Sequence, residues 1–232
     1  MLILRGLIRG LFQLALFGAL LIVPAGLVPG GTWYWERGLI FLGVYGVISE
    51  TCMVTFAVVA PASLEARLKA PAPKKRPVAD RVVTTILILT GLAWFAAIPV
   101  DVFYWKLLPS PAFVVSVCGA ALSVVGYAVI IAAIYKNSFA IPVVEDQTER
   151  GQVLVDTWPY SMVRHPFYLG MLPWLAGIAL WLGSYAGAIA TVAVLVVLIA
   201  RIVVEEKVLR KTLPGYPEYM QKVRYRLIPF IW

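Results

Sequence analysis

Residues 158–183 read WPYSMVRHPFYLGMLPWLAGIALWLG, a short polar segment that leads directly into an unbroken apolar stretch. The apolar part predicts a membrane helix, because a bilayer core about 30 Å thick is crossed by about 20 predominantly apolar residues. The polar part contains His165, the only histidine of the chain, followed by Pro166. Proline is favoured at the first position of a helix, so the pattern predicts that a helix begins here, at the membrane surface.

The rest of the chain has the composition of an integral membrane protein. Of its 232 residues, 61% are hydrophobic and 14% are charged, and the mean hydropathy is +0.87. Six apolar runs predict membrane spans: residues 7–28, 38–60, 82–107, 112–135, 167–183 and 185–204. The last two are short and adjacent, so they form either a helical hairpin or one span and a re-entrant piece. We predict an all-α polytopic membrane bundle in one domain, with N-terminal spans in 1–124 and a functional core in 125–232.

The positive charges are distributed asymmetrically along the chain. With the N-terminus placed inside, 18 of the 20 Lys and Arg residues fall on the inner side, and only Arg37 and Lys106 fall outside. This pattern is typical of cytoplasmic loops, so both termini are predicted to be cytoplasmic, in a bacterial, archaeal or ER-type membrane. Topology and attraction to anionic lipid explain the net charge of +8, and no module for binding nucleic acid is apparent. With one histidine, Cys52 and Cys118 predict packed thiols and no metal site.

Two polar connectors are predicted on the cytoplasmic side. Residues 61–81 are basic and rich in proline, which is typical of a solvated loop. Residues 136–165 form the longest polar segment and include Glu145, Asp146 and Glu149. Connections of this length are uncommon in compact domains unless they are functional or disordered.

The predicted topology brings His165 to the same membrane face as Glu205 and Glu206, at the end of the sixth span. Ionisable groups near a bilayer are costly unless paired or hydrated, so this clustering suggests a site. Alternatively, His165 caps a helix, Arg164 is one more inside-positive charge, and the two acids are solvated. Arg201 and Glu205 are four residues apart and can pair on one helix face, which would leave Glu206 free for a ligand.

A further acid, Glu50, lies in the middle of the second predicted span. An ionisable residue at that depth is a functional candidate by default, because burying a charge in the bilayer is expensive. A structural hydrogen-bonding role is equally compatible with the sequence.

Two ordered motifs resemble the signature of the isoprenylcysteine carboxyl methyltransferase family, which is related to the phospholipid N-methyltransferases. The first consists of Pro159, Tyr160, Arg164, His165, Pro166, Tyr168 and Gly170. The second consists of Glu205, Glu206, Leu209, Gly215, Tyr216, Tyr219, Pro229 and Phe230. The resemblance covers roughly residues 125–232. Trp158 replaces the glycine that precedes Pro159 in the family, and the spacing between Glu206 and Gly215 differs by one residue.

This resemblance implies a membrane methyltransferase that uses S-adenosylmethionine as methyl donor at the cytoplasmic face. The implied cofactor-binding residues are Tyr160, Arg164, His165, Pro166, Tyr168, Gly170, Glu205 and Glu206, and the implied catalytic residues are Arg201 and Glu206. The implied acceptor is an isoprenylcysteine-type carboxylate from the bilayer, with a phospholipid amine or a small thiol as alternatives. A nicotinamide-dependent membrane reductase and a transporter or lipid-binding protein are the competing functions.

Overall fold

The computed structural model describes residues 1–69, 77–139 and 151–232, and these ranges contain helices without strands, which confirms the all-α prediction. The helices are α1 (Leu2–Leu27), α2 (Glu36–Val59), α3 (Pro61–Leu68), α4 (Val78–Val100), α5 (Phe113–Lys136), α6 (Pro166–Leu182), α7 (Tyr185–Thr212) and α8 (Tyr216–Lys222). A π-helical turn, Asp101–Trp105, continues α4. Five segments, α1, α2, α4 with its π-helical turn, α5 and α7, are long and apolar enough to cross a membrane. Helix α6 has 17 residues, which corresponds to about 25 Å.

Helix α7 is longer than its apolar run predicts. It has 28 residues and continues to Thr212, because Glu, Lys and Arg support a helix as well as most apolar residues do. It ends just before Pro214, which disfavours helical backbone in the residue that precedes it. Arg201, Glu205 and Glu206 therefore lie inside α7, and the predicted position of the two acids at the end of the helix is wrong.

The two predicted polar connectors are only partly described. Residues 61–68 form α3, with Pro61 at its first position and with Ser63, Leu64 and Ala66 buried, so the prediction of a solvated loop is wrong there. The remaining basic residues Lys74, Lys75 and Arg76 lie outside the described residues, as do the acids Glu145, Asp146 and Glu149.

Helices α5 and α6 run antiparallel and approach closely through two pairs of glycines. Gly126 faces Gly170, and one heptad away Gly119 faces Gly177. A Cβ added at Gly126 would lie 2.6 Å from the carbonyl oxygen of Gly170, and one added at Gly119 would lie 3.0 Å from that of Gly177. The absence of side chains at these positions is what permits the close approach of the two backbones.

Helices α6 and α7 form the predicted antiparallel hairpin. Gly183 ends α6 with a φ of 97°, a left-handed conformation that favours glycine. Ser184 then caps α7 by accepting a hydrogen bond from the Gly187 N–H at 2.7 Å, and its hydroxyl donates to Asp101 at 2.6 Å. The hairpin brings the start of α6 beside the C-terminal third of α7.

The apolar core of the bundle lies between α1, α4, α6 and α7. Its fully buried members include Leu21, Ile98, Leu182 and Leu198, so N-terminal spans and the C-terminal hairpin share one core. Cys118 lies on the exposed surface of α5, and the prediction of a packed thiol is wrong at that position. Cys52 is half-buried.

Candidate active site

The two polar segments singled out in the sequence are in direct contact at one end of the α6–α7 hairpin. His165 is the residue immediately before α6, and its Nε2 lies 3.3 Å from Glu206 Oε1. Its Nδ1 lies 4.0 Å from Glu205 Oε1. One turn into α6, the Tyr168 hydroxyl donates to Glu205 Oε2 at 2.7 Å. His165 and the two acids therefore border a single site.

Glu206 is a buried carboxylate surrounded by three arginines and a histidine. Arg164 Nε donates to its Oε1 at 2.8 Å, and Arg226 Nε donates to its Oε2 at 3.1 Å. Arg210, one turn later in α7, lies 3.6 Å from Oε2, and His165 Nε2 lies 3.3 Å from Oε1. The Glu206 side chain is only 2% exposed. The expectation that Glu206 is the free acid is therefore wrong, because its carboxylate is bound by these neighbours.

Residues 223–226 close over this cluster. The Arg164 guanidinium donates to the carbonyl oxygens of Val223 and Arg224 at 2.8 and 3.0 Å. The backbone N–H groups of Arg164 and His165 donate to the carbonyls of residues 225 and 226, both at 2.9 Å. Arg164 thus joins Glu206 to the C-terminal segment. It is therefore more than one of the positive charges that mark the cytoplasmic side.

Arg201 has a different principal partner from the one expected. Its Nη1 donates to the Asp80 carboxylate and to the Thr84 hydroxyl, the latter at 2.7 Å, and both acceptors lie on α4. The expected partner, Glu205, is 3.9 Å from Arg201 Nε, so the i,i+4 ion pair is only a secondary contact. Arg201 is 1% exposed and Asp80 is 0% exposed. Asp80 was not predicted, because its only signal in the sequence is an acid two residues before an apolar run.

A chain of polar contacts connects Asp80 to the accessible part of the site. Arg201 Nε donates to the Tyr168 hydroxyl at 3.3 Å, and that hydroxyl donates to Glu205. The Tyr168 ring is stacked on the His165 ring, with 5.8 Å between centroids. Glu205 is 24% exposed, against 2% for Glu206. Of the two acids, Glu205 is therefore the one that a ligand can reach.

Three buried tyrosines lie beside the acids, and they differ in their hydrogen bonds. The Tyr160 hydroxyl donates to a carbonyl of α5 at 3.3 Å, and the Tyr219 hydroxyl donates to the Tyr160 carbonyl at 2.7 Å. The Tyr216 hydroxyl is buried without a hydrogen-bond partner among the described residues. Burial raises the pKa of all three phenols, and for Tyr216 the carboxylates of Glu206 and Glu205 raise the pKa further. All three hydroxyls therefore remain protonated at neutral pH.

The structure places the remaining sequence-predicted residues in supporting positions. Pro166 is the first residue of α6, as its pattern predicts. Gly170 lies in the close contact with Gly126, so its evident function is helix packing. Tyr160 is held by α5 and by Tyr219, beside the C-terminal segment.

Comparison with known proteins agrees with this arrangement. Residues 114–214 match the model of the phospholipid methyltransferase family, and this region contains both His165 and the acid pair. Among solved structures, the fold is similar to that of the eukaryotic intramembrane Ras methyltransferase ICMT, an isoprenylcysteine carboxyl methyltransferase, solved without a monobody. The TM-score is 0.52 at 22% identity, and the match covers 94% of this chain and 74% of that chain. A comparison with curated proteins found no significant match. The predicted resemblance is thus confirmed: residues 114–214 match the phospholipid methyltransferase family model, and the fold of the chain is similar to that of ICMT.

Proposed function

We propose that this protein transfers a methyl group from S-adenosylmethionine to an acceptor embedded in the membrane. The observation that carries the proposal is the contact of His165, at the start of α6, with the Glu205–Glu206 pair of α7. Both segments belong to the region that matches the phospholipid methyltransferase model. A soluble, charged donor and a lipophilic acceptor would meet at such a site, because it lies at one end of an apolar hairpin.

The residues at the site fit the chemistry of the donor. Glu205 is a partly exposed carboxylate that can accept hydrogen bonds from an ammonium group or from ribose hydroxyls. His165 adds a second polar group beside this acid, because its Nδ1 lies 4.0 Å from Glu205 Oε1. The first turn of α6 offers N–H groups that the helix itself leaves unpaired, and these favour an anionic group such as the donor's carboxylate.

The reaction itself would need positioning more than covalent help from the protein. When bound, the donor would supply an activated methyl group on a sulfonium: the acceptor–carbon bond would form in line as the carbon–sulfur bond breaks, and the sulfur would leave as a neutral thioether. Residues 223–226, docked by Arg164, would help to exclude water from that step. Alignment of the reacting atoms by a rigid site supplies much of the remaining acceleration.

Both predicted catalytic residues, Glu206 and Arg201, are better placed to position other residues than to touch the reacting atoms. Glu206 binds Arg164 and Arg226, so we propose that it holds the closing segment in place. Arg201 is neutralised by Asp80 and contacts the Tyr168 hydroxyl, so we propose that it orients Tyr168 toward Glu205. Glu205 remains the acid with access to a ligand.

We propose an isoprenylcysteine-type carboxylate as the acceptor, in keeping with the resemblance of the motifs and the similarity of the fold. A carboxylate can attack without prior loss of a proton. The match to the phospholipid methyltransferase model favours a second candidate, a phospholipid amine. An amine must first be neutral, and the accessible Glu205 is the residue that could accept its proton.

We propose that the site faces the cytoplasm. The basic residues Lys207, Arg210, Lys211, Lys222 and Arg224 lie at the same end of the bundle as the site. Positively charged residues near membrane helices are enriched on the cytoplasmic side. A cysteine is introduced at exposed Lys222 in a variant whose Cys52 and Cys118 are replaced by serine. Its labelling in inverted and right-side-out vesicles tests this orientation.

The donor is tested by calorimetric titration of the protein in lipid nanodiscs with S-adenosylhomocysteine. We expect saturable binding that Glu205→Gln weakens about tenfold, which corresponds to 1.4 kcal/mol. Glu218→Gln, the same substitution at an exposed acid of α8, should bind like the wild type. Binding of NADPH without binding of S-adenosylhomocysteine would instead support a reductase.

The acceptor is tested with isotopically labelled donor and mass spectrometry. The protein is incubated with an S-farnesylcysteine carboxylate, with phosphatidylethanolamine and with a small thiol. Label in the methyl ester supports the first candidate, and label on the amine supports the second. Absence of label from every acceptor, despite donor binding, would contradict both.

A further inference from the structure

Helix α8 contains two buried tyrosines, Tyr216 and Tyr219, and only one of their two hydroxyl groups has a hydrogen-bond partner among the described residues. They are 3% and 4% exposed, and their rings are 5.7 Å apart. The Tyr219 hydroxyl donates to the Tyr160 carbonyl at 2.7 Å. The Tyr216 hydroxyl is without a hydrogen-bond partner in the described ranges. Because buried polar side-chain atoms almost always have a partner, the unsatisfied hydroxyl calls for an explanation.

The position of Tyr216 points to the donor site. Tyr216 packs in one apolar cluster with Val223, whose carbonyl accepts from Arg164, and with Leu209, one turn after Glu205 on α7. Its phenol is also within electrostatic range of both acids. No other tyrosine of α8 shares this combination of burial, an unpaired hydroxyl and proximity to both acids. A ligand bound beside the two acids, between α6 and α7, is therefore the candidate partner for this hydroxyl.

Tyr216 is also held rigidly. It belongs to an apolar cluster with Leu213, Tyr219 and Val223, against which Leu154 and Leu209 pack. Gly215, in a left-handed conformation with a φ of 79°, immediately precedes α8 and sets the direction in which that helix leaves α7. A side chain that is already ordered loses little entropy when it binds a ligand, so a hydrogen bond from it is efficient.

We propose that the Tyr216 hydroxyl is a ligand-binding group of the methyl-donor site and forms a hydrogen bond with S-adenosylmethionine. This inference rests on the proposed function and adds a residue to it. It also makes α8 part of the donor site, together with the start of α6 and the acids of α7. Tyr216 makes and breaks no covalent bond when the donor binds, and its phenol keeps its proton.

The test compares Tyr216→Phe with Tyr219→Phe, since both substitutions remove one buried hydroxyl from the same helix. Each variant is reconstituted in nanodiscs and measured by thermal unfolding without ligand and by titration with S-adenosylhomocysteine. Removing the unsatisfied hydroxyl should leave the melting temperature of Tyr216→Phe equal to or above that of the wild type, while the dissociation constant rises about tenfold. Removing the satisfied hydroxyl should lower the melting temperature of Tyr219→Phe and change the dissociation constant less than twofold.

The outcomes separate this inference from the proposed function. Wild-type binding with unchanged affinity in Tyr216→Phe overturns the role of Tyr216 alone. A melting temperature that falls in Tyr216→Phe as far as in Tyr219→Phe shows that the hydroxyl is structural, and this also overturns the inference. If the wild type itself does not bind S-adenosylhomocysteine, both the proposed function and this inference fail.

Discussion

The Asp80 carboxylate on α4 binds the Arg201 guanidinium on α7, and both side chains are fully buried. A buried ion pair is expensive to form, yet removing one partner is worse because it leaves an uncompensated charge. Arg201 also contacts Tyr168, so the position of α4 is coupled to the residue that donates to Glu205. The stability of the bundle and the geometry of the site therefore depend on the same pair.

Asp80→Asn should destabilise the protein strongly. The substitution leaves the Arg201 charge buried without its anion, and the expected loss is about 3 kcal/mol or more in the free energy of unfolding. Equilibrium unfolding in mixed micelles with increasing sodium dodecyl sulfate measures this quantity. The rate of methyl transfer should fall as well, because the Arg201 side chain that donates a hydrogen bond to the Tyr168 hydroxyl is no longer held in place by Asp80.

Thr84→Val is the matched control for this experiment. It removes the hydrogen bond from the same guanidinium to an uncharged hydroxyl and should cost about 1.5 kcal/mol, less than the loss of the Asp80 anion. The double variant Asp80→Leu with Arg201→Leu removes both charges and should recover most of the stability without recovering activity. An Asp80→Asn protein as stable as the wild type would show that the pair does not matter energetically.

Glu206→Gln should lower the stability of the protein, whereas Glu205→Gln should lower its affinity for the donor, although the two residues are adjacent. Glu206 binds Arg164 and Arg226, so its neutralisation should release residues 223–226 and cost about 3 kcal/mol of stability. Glu205 is partly exposed, so its neutralisation should weaken donor binding and leave stability nearly unchanged. Hydrogen exchange of the backbone amides in the C-terminal segment, together with unfolding, distinguishes the two effects. Equal protection of residues 223–226 in both variants would contradict the assignment.

The sequence was sufficient to predict which segments meet. Apolar run lengths and the asymmetry of charge place His165 and the acid pair on one membrane face, and the tight connection at Gly183 makes the last two helices neighbours. These patterns can be read directly along the chain, because they depend on neighbouring residues or on the order of the segments. Helix α3 was missed because proline and basic residues hide its buried face, although Pro61 is itself a favourable first residue.

The partners within the site could not be predicted in the same way. Asp80 and Arg201 are 121 positions apart, and only the packing of α4 on α7 brings them together. Arg226 likewise reaches Glu206 through a C-terminal segment that has no helical pattern. Arg210 is the exception, since its i,i+4 spacing from Glu206 is visible in the sequence. Charge pairs between distant elements therefore decide which acid is accessible, and the sequence alone assigned that property to the wrong one.

Gly126→Ala should destabilise the contact between α5 and α6. The added methyl would lie 2.6 Å from the Gly170 carbonyl oxygen, so the helices must separate, at an expected cost of about 1–3 kcal/mol. Gly91→Ala is the control, because a Cβ at Gly91 in α4 meets nothing within 4 Å. It should be neutral or raise the free energy of unfolding by up to about 1 kcal/mol. Similar melting temperatures for the two variants would show that the glycine pairs are not needed for close packing.

Glu50→Met tests whether the acid in α2 has a structural or a chemical role. Both carboxylate oxygens of Glu50 are buried without a hydrogen-bond partner among the described residues, and the group lies against α1 at Gly10, where an added Cβ would be 2.8 Å from its Cδ. Methionine has similar length and needs no partner, so the variant should gain about 1–3 kcal/mol in the free energy of unfolding. We expect methyl transfer and donor affinity to persist, since the Glu50 carboxylate forms no hydrogen bond with the site residues in the described ranges. Glu36→Met, at the exposed first turn of the same helix, should instead lose a few tenths of a kcal/mol, about the value of an acid near a helix N-terminus. If Glu50→Met unfolds like the wild type or better but no longer transfers methyl groups, Glu50 takes part in the chemistry, and the α1–α2 contact belongs to the acceptor's path.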